Sequence, residues 1–414
     1  MSQTFTKDLQ YAKFCAYGFL KNLKFFEAFL ILFFLENGLS FLQIGILYSI
    51  REITTNILEI PSGVIADVLG RRKTMIQAFA AYIASFGMFW FSSSFGLFVV
   101  AMFLFSIGNA FRSGTHKAMI FEYLKLKGWG NQKVHYYGHT RSWSQMGSAI
   151  SSLVAAGIVF YSGNYSLVFL FTAIPYILDL LLMFSYPKEL DGTRENYYNG
   201  QILKSFKEVF RQMIISFSLL EIFKALGSLS LYSGYYKASR DFLQPIIKSM
   251  ALSLPVFIYL QGEKRSAIFV GVIYFFIFLM TSIISRKSGK ISDLFQNLAI
   301  PLNLSLLFGF SCGVGAGVFY IYDLYIPAII CFLGIYLIEN LRKPMGISYV
   351  TDLFDKSILA TVLSVESQAI SLFAAIIAPL IGWLADMYGL GFAIVGVSLV
   401  LLLLSPIVML GKKV

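Results

Sequence analysis

Apolar stretches of roughly 20 residues recur along the chain from Phe14 to Leu410, separated by short polar interruptions. That is the length an α-helix needs to cross the hydrocarbon core of a bilayer. Twelve such stretches fit, at 14–37, 41–67, 74–92, 96–123, 138–161, 165–186, 214–244, 266–286, 297–320, 326–350, 358–385 and 390–410. The predicted fold is therefore an all-α membrane protein of twelve transmembrane helices. One long polar stretch breaks the rhythm, from Pro187 to about Arg211, where Asp191, Arg194, Glu195 and Asn199 precede an amphipathic run. It divides the chain into a first bundle at 1–186, a linker at 187–211 and a second bundle at 212–414.

Composition agrees with this pattern. Of 414 residues 57% are hydrophobic and 13% charged, against about 25% charged in a soluble domain. The net charge of +11 would fit a nucleic-acid partner if the cations formed one patch, but they gather in alternate loops. Arg71, Arg72 and Lys73 form one group, Lys125, Lys127 and Lys133 another, with further groups at Lys188–Arg211, at Arg286, Lys287 and Lys290, and at Lys412 and Lys413. The turns near Asn37, Ser93, Asn164 and Tyr322 carry none, whereas one outward turn breaks the rule with Lys248, Lys264 and Arg265. This asymmetry predicts cytoplasmic termini, a cytoplasmic linker and no nucleic-acid partner. The three cysteines lie in apolar runs without metal or disulfide spacing and are expected to pack as small residues. The first apolar run contains Lys21, Lys24 and Glu27, so no cleaved signal is expected.

The two halves share a weak internal repeat. Gly63-x-x-x-Asp67 recurs as Gly289-x-x-x-Asp293, Arg112 with Glu122 recurs as Arg342 with Asp352, and Ala149-Ile150-Ser151 recurs as Ala369-Ile370-Ser371. A shared offset supports two six-helix bundles related as parallel repeats, an arrangement in which substrate sites lie near the midplane.

The sharpest motif joins the second and third spans: Gly63-Val64-Ile65-Ala66-Asp67-Val68-Leu69-Gly70-Arg71-Arg72-Lys73. Gly63 is expected to permit close helix approach, Gly70 a tight turn, Asp67 to face a positive helix end or an arginine, and Arg71 and Arg72 to anchor the loop. The positive-inside rule explains the bases but not the Gly-Asp-Gly spacing. With Glu59-Ile60-Pro61-Ser62 upstream and Pro379-Leu380-Ile381-Gly382 with Asp386 in the eleventh span, the chain resembles bacterial members of the major facilitator superfamily of secondary transporters along essentially its whole length. The resemblance implies alternating access, a pseudo-two-fold pair of bundles in the inner membrane, and a latching role for Gly63, Asp67, Gly70, Arg71 and Arg72. The fifth span reads Met146-Gly147-Ser148-Ala149-Ile150-Ser151, without the Gly-Pro pair of many drug/proton antiporters. No cofactor and no oligomeric partner beyond a monomer in lipid is implied.

Buried charge supplies the candidate chemistry. A charge at the bilayer centre costs about 2.5–3.5 kcal/mol on insertion scales, so each needs a partner, a wet cavity or a route to the surface. Lys24, Glu27 and Arg51 are expected near the midplane, with Lys21, Lys24 and Glu27 on one helix face. The fourth span places Arg112 and His116 on one face with Lys117 beside them, and the fifth carries Arg141. The seventh carries Lys237, Arg240 and Asp241 beside Tyr232, Tyr235 and Tyr236. An anionic substrate held by Lys24, Arg51, Arg112, Lys237 and Arg240 and packed by Tyr236 is one reading. Internal pairing is the other: Lys24 with Glu27, Arg51 with a neighbouring carboxylate, Arg240 with Asp241. In-helix pairing is expected for Glu339, Arg342 and Lys343. Glu27 and Glu366 are the candidates to exchange a coupling proton. The expected function is proton-coupled transport of a small organic anion; the alternative is proton-driven export of amphipathic, drug-like compounds. No nucleotide loop, metal cluster or nucleophile with a base is evident, so no enzyme is expected.

Overall fold

The computed structural model describes residues 5–191, 220–295, 297–353 and 356–411. Among these the chain is helical throughout, without a strand. The linker expected at 187–211 lies outside the described residues, apart from its first turn, a 3-10 turn at Lys188–Asp191.

Fifteen helices are used below. The first eight are α1 (Leu9–Lys21), α2 (Leu30–Glu36), α3 (Phe41–Leu69), α4 (Arg71–Phe91), α5 (Phe95–Arg112), α6 (Thr115–Leu126), α7 (Lys133–Ser162) and α8 (Leu167–Phe184). The remaining seven are α9 (Leu220–Ser239), α10 (Leu243–Ser253), α11 (Gly262–Ser292), α12 (Ala299–Ile321), α13 (Tyr325–Leu353), α14 (Lys356–Tyr388) and α15 (Leu390–Leu404). Nine spans among the described residues are long and apolar enough to cross a membrane. The other three of the twelve are the charged ones, namely α1 with α2, α3 alone, and α9 with α10.

Two of those charged spans are interrupted where a continuous helix was expected. Asp8 caps α1 by accepting the Tyr11 N–H at 2.9 Å, and Lys21 in the last turn complements the carbonyl end. The helix then stops, because the Asn22 side-chain amide donates to the Gly18 carbonyl at 2.6 Å. The next backbone bonds, Glu27 to Lys24 and Phe29 to Phe26, span three residues instead of four. Lys24 and Glu27 therefore sit in turns between α1 and α2, which corrects the expectation that they share a helix face with Lys21. The seventh span breaks similarly at a 3-10 turn, Arg240–Phe242, and continues through α10, so Lys248 is helical and not part of an outward loop. The fourth span also breaks, at Ser113-Gly114, where Gly114 has φ +73°. A side chain is disfavoured in that left-handed region, so glycine lets Thr115 start a new helix. The tenth span, its counterpart in the repeat, runs unbroken as α13.

The chain divides into two compact units, each taken by itself. The first comprises the described residues to Phe29 and those from Thr54 to the linker; the second comprises Leu30–Ile53 and the chain beyond the linker. The core of the first is aromatic: Tyr82, on α4, meets Phe105 at 5.2 Å and Tyr176 at 5.2 Å, and Phe86 meets Tyr176 at 4.9 Å. In lipid such packing replaces the hydrophobic effect as the source of helix association.

Leu30–Ile53 joins the second unit for polar as well as packing reasons. Asp386, on α14, accepts the Phe41 and Leu42 N–H groups, both at 2.8 Å, and so satisfies the start of α3. Gln244 accepts the Ile31 N–H at 2.9 Å. A Cβ on Gly45 would stand 2.6 Å from the Ala378 carbonyl oxygen. The core of this unit gathers Leu226, Leu302, Met345, Val350 and Val365.

Candidate functional site

The motif between α3 and α4 is bound into the first unit by polar contacts. Gly70 has φ +97°, and a Cβ there would stand 2.9 Å from the Asp191 carboxyl, so the expected tight turn is present and requires glycine. Asp191 accepts the Arg72 N–H at 2.8 Å, capping α4. The Arg72 guanidinium donates to the Tyr186 carbonyl at 3.1 Å, and Arg71 lies 3.6 Å from Glu122. Gly63 departs from expectation: it is exposed, and a Cβ there would meet nothing within 4 Å, so no close helix approach depends on it here. The Asp67 side chain lies outside the described residues.

The breaks at Lys21 and Gly114 shape a cavity of about 200 Å³ in the first unit. The end of α1 contributes Tyr17 and Lys21, the end of α5 contributes Arg112, the start of α6 contributes His116 and Lys117, and α7 contributes Arg141. None of its described lining residues is acidic. Arg112 donates through Nε to the Tyr82 hydroxyl at 3.1 Å, which donates to Asn109 at 2.7 Å. Gly108 makes room for that tyrosine, since a Cβ would stand 2.7 Å from its ring. Arg112 has no carboxylate within 4 Å among the described residues. His116 is buried, stacks on Tyr17 at 3.5 Å between ring centroids, and places Nε2 3.2 Å from the Tyr186 hydroxyl. Lys117 is exposed and lies over the Phe121 and Tyr137 rings at 5.5 and 5.6 Å. Arg112 and His116 were expected on one helix face. They belong to two helices, and the turn at Gly114 brings both to one cavity.

Other expected site residues hold carboxylates. Lys24 lies 3.8 Å from Glu27 in the first unit. In the second, Glu52 is 4% exposed and lies between two cations, with Arg51 Nε at 3.1 Å and Lys237 in an ion pair with its other oxygen. Arg51 also covers the Tyr48 ring at 4.5 Å, and Lys237 reaches the Ser371 hydroxyl at 3.4 Å. Arg240 lies 3.4 Å from Asp241 and 5.9 Å from the Tyr236 ring, while the Tyr336 hydroxyl donates to its carbonyl at 2.9 Å.

Glu366 shares α14 with Ser371, and its carbonyl accepts the Ser230 hydroxyl at 3.3 Å. Arg342 corrects the expected in-helix pairing. It is 2% exposed and donates to the Leu302 carbonyl, to the Ser305 hydroxyl at 2.9 Å and to the Ser228 carbonyl at 3.1 Å, while Glu339 accepts the Ser233 hydroxyl at 2.9 Å.

The sequence reading passed over Tyr17, Glu52's double pairing and Asp179. Asp179 stands in the apolar run of α8, is 0% exposed, and has neither carboxylate oxygen in a hydrogen bond. A carboxylate inside an otherwise apolar span was the signal available for it.

Nine apolar spans among the described residues, with three charged ones beside them, define a multi-pass membrane protein. The chain matches the sequence profile described as Major Facilitator Superfamily over residues 14–367 and belongs to that family. A curated relative in Bacillus subtilis (strain 168), described as the uncharacterized MFS-type transporter YxaM, is 22% identical over 228 residues. That match covers 55% of this chain and 56% of the relative, so the chain spans about half the length of the curated relative it matches. Among solved structures, the nucleoside transporter NupG aligns with TM-score 0.72 at 13% identity, covering 98% of each chain. A peptide transporter POT in complex with sulfate aligns with TM-score 0.67 at 15% identity, covering 99% of this chain and 97% of that one. At these identities the likeness shows the fold alone.

Proposed function

We propose that this chain is a proton-coupled secondary transporter that moves a small organic anion by alternating access. It works as a monomer in a bacterial cytoplasmic membrane, with both termini and the linker on the cytoplasmic side. The observation that carries the substrate class is the cavity lined by Lys21, Arg112, His116, Lys117 and Arg141 without an acidic residue in its described wall. A cluster of cations without carboxylate compensation is costly in a bilayer, and an anionic ligand offsets that cost.

Lys24, Arg51, Lys237 and Arg240 already hold carboxylates. In this reading they engage substrate when those pairs open, with Tyr236 packing its apolar part. Glu27, tied to Lys24, and Glu366 are coupling carboxylates in the same reading, and Gly63, Asp67, Gly70, Arg71 and Arg72 form the latch. The breaks beside Lys24 and Arg240 support it too, since interrupted helices in transporters border ion and substrate sites.

Thermal stability of the purified protein, screened against organic acids, phosphates, sulfonates and cationic drugs, tests the substrate class. Stabilisation by one group of anions, lost in Arg112→Gln, is the expected result. Stabilisation by cationic or neutral amphipathic compounds alone would favour the exporter.

A further inference from the structure

We propose that Asp179 is a proton-binding site whose occupancy sets the anion affinity of the cavity at Lys21 and Arg112. The proposal rests on the anion reading of that cavity and adds a coupling residue to it.

Asp179 differs from the other buried carboxylates described here. Glu52 holds Arg51 and Lys237, Asp241 holds Arg240, Glu339 accepts a serine hydroxyl, and Asp191 accepts a backbone N–H. Asp179 is 0% exposed, and both of its oxygens lack a hydrogen-bond partner. It lies about 18 Å along α8 from the first residue of that helix and about 7.5 Å from the last, in the second half of the span. An ionised carboxylate there is deprived of solvent and of direct donors, and a bound proton removes that cost.

Tyr176, three residues before Asp179 on α8, donates to the Lys21 carbonyl at 3.1 Å, and its ring meets at 5.2 Å the ring of Tyr82, whose hydroxyl accepts from Arg112. Lys21 and Arg112 are thereby the cations that act on Asp179, and the same two line the cavity. Neither makes an ion pair with it within 4 Å. Asp179 is not among the residues that line the cavity, and its influence on the two bases is exerted through space.

With Asp179 ionised, the three groups carry one net positive charge; with Asp179 protonated they carry two. The proton comes from water and bonds a carboxylate oxygen, and no other bond changes. A doubly positive group binds an anion more tightly, and by linkage a bound anion makes Asp179 hold its proton more tightly. Anion and proton therefore favour each other's binding, a linkage that suits their movement in the same direction.

The groups around Asp179 define the controls. Its charge is felt by Tyr17 and Lys21 on α1, by Arg112 on α5, and by Tyr176 and Tyr186 on its own helix and just after it. Tyr82 on α4 contacts the Tyr176 ring. Between Arg141 and Tyr161, α7 has no titratable residue. His116, on the cavity wall, is the competing source of pH dependence.

The test uses the full-length protein in detergent with sulfate as the probe, because sulfate keeps its charge from mildly acidic to mildly basic pH. Sulfate affinity is measured across that range for wild type, Asp179→Asn, His116→Gln and Arg112→Gln. Infrared difference spectra follow the carbonyl stretch of protonated Asp179, assigned by its loss in Asp179→Asn.

The expected result is sulfate binding about tenfold tighter in acid, retained in His116→Gln and constant with pH in Asp179→Asn, with a carbonyl band that grows on acidification and again on adding sulfate. Arg112→Gln weakens binding by about 10–100-fold at every pH. PH dependence that survives in Asp179→Asn, or a band absent from wild type at every pH, overturns the proposal while leaving an Arg112-dependent anion site standing. A band that titrates while sulfate binds nowhere overturns the anion reading and the linkage with it. If Asp179→Asn folds poorly, Asp179→Glu assigns the band instead, because it keeps the acid and shifts the carbonyl frequency.

Discussion

Replacing Glu52 with glutamine should destabilise the second unit far more than replacing either of its cations. Glu52 is 4% exposed, with Arg51 Nε 3.1 Å away and Lys237 paired to its other oxygen. At that separation and an effective dielectric near 20, the gross attraction to Arg51 alone is about 5 kcal/mol. Desolvation of both partners offsets part of this, and breaking a buried pair costs about 3–5 kcal/mol because it strands the opposite charge. Lys237, with 36% of its side chain exposed, keeps some hydration, which favours the lower end, about 3 kcal/mol. For a unit of this size 1 kcal/mol corresponds to roughly 2 °C, so Glu52→Gln should lower the melting temperature by about 6 °C. Lys237→Gln leaves the Arg51–Glu52 pair intact and should cost under about 1 kcal/mol. Adding Lys237→Gln to Glu52→Gln should restore part of the loss by removing one stranded cation. The assay is thermal unfolding of the four purified proteins at low and high salt. The reasoning is refuted if Glu52→Gln unfolds with wild type, or if Lys237→Gln costs as much as Glu52→Gln.

Three further outcomes follow from the same geometry. Arg112→Gln should weaken binding of a stabilising anion by about 10–100-fold in a thermal-shift or calorimetric titration, the size of a charged hydrogen bond, while Lys24→Gln, whose cation already holds Glu27, should change it less. Gly114→Ala, at φ +73°, should cost about 1–2 kcal/mol in unfolding measurements, and Gly114→Asn less, since asparagine tolerates that conformation. Asp191→Ala removes the acceptor for the Arg72 N–H and should destabilise the start of α4 by about 1 kcal/mol, read as faster amide exchange at Arg72 and Lys73.

The apolar periodicity of the chain was enough to place the spans, because a length of about 20 apolar residues constrains a helix in lipid very tightly. The turn at Gly70 and the pairs Lys24–Glu27 and Arg240–Asp241 were also legible, since each rests on neighbours in sequence. Interruptions within spans were not. The stop at Asn22 depends on a side chain closing its own helix, and the polar run Lys21-Asn22-Leu23-Lys24 reads equally as buried charge within a continuous helix.

The allotment of Leu30–Ile53 to the second unit was hidden for a different reason. It is built from contacts such as Asp386 with the Phe41 N–H, more than 300 positions away in sequence. Arg342 likewise invited an in-helix partner by spacing, yet its donors go to Leu302, Ser305 and Ser228 on neighbouring helices. Asp179 was masked by its surroundings, a lone acid in Leu-Asp-Leu-Leu-Leu, where the average over a window conceals a single charge.

The central claim is proton-coupled transport of an organic anion through a site that includes Arg112. Its most direct test is uptake of radiolabelled monocarboxylates, dicarboxylates, organic phosphates and sulfonates into proteoliposomes energised by a pH gradient alone. The account predicts that at least one of these anions accumulates above its equilibrium level, that a protonophore collapses the accumulation, and that Arg112→Gln removes it. It is contradicted if no anion accumulates while the same vesicles move a cationic or neutral amphipathic compound against its gradient.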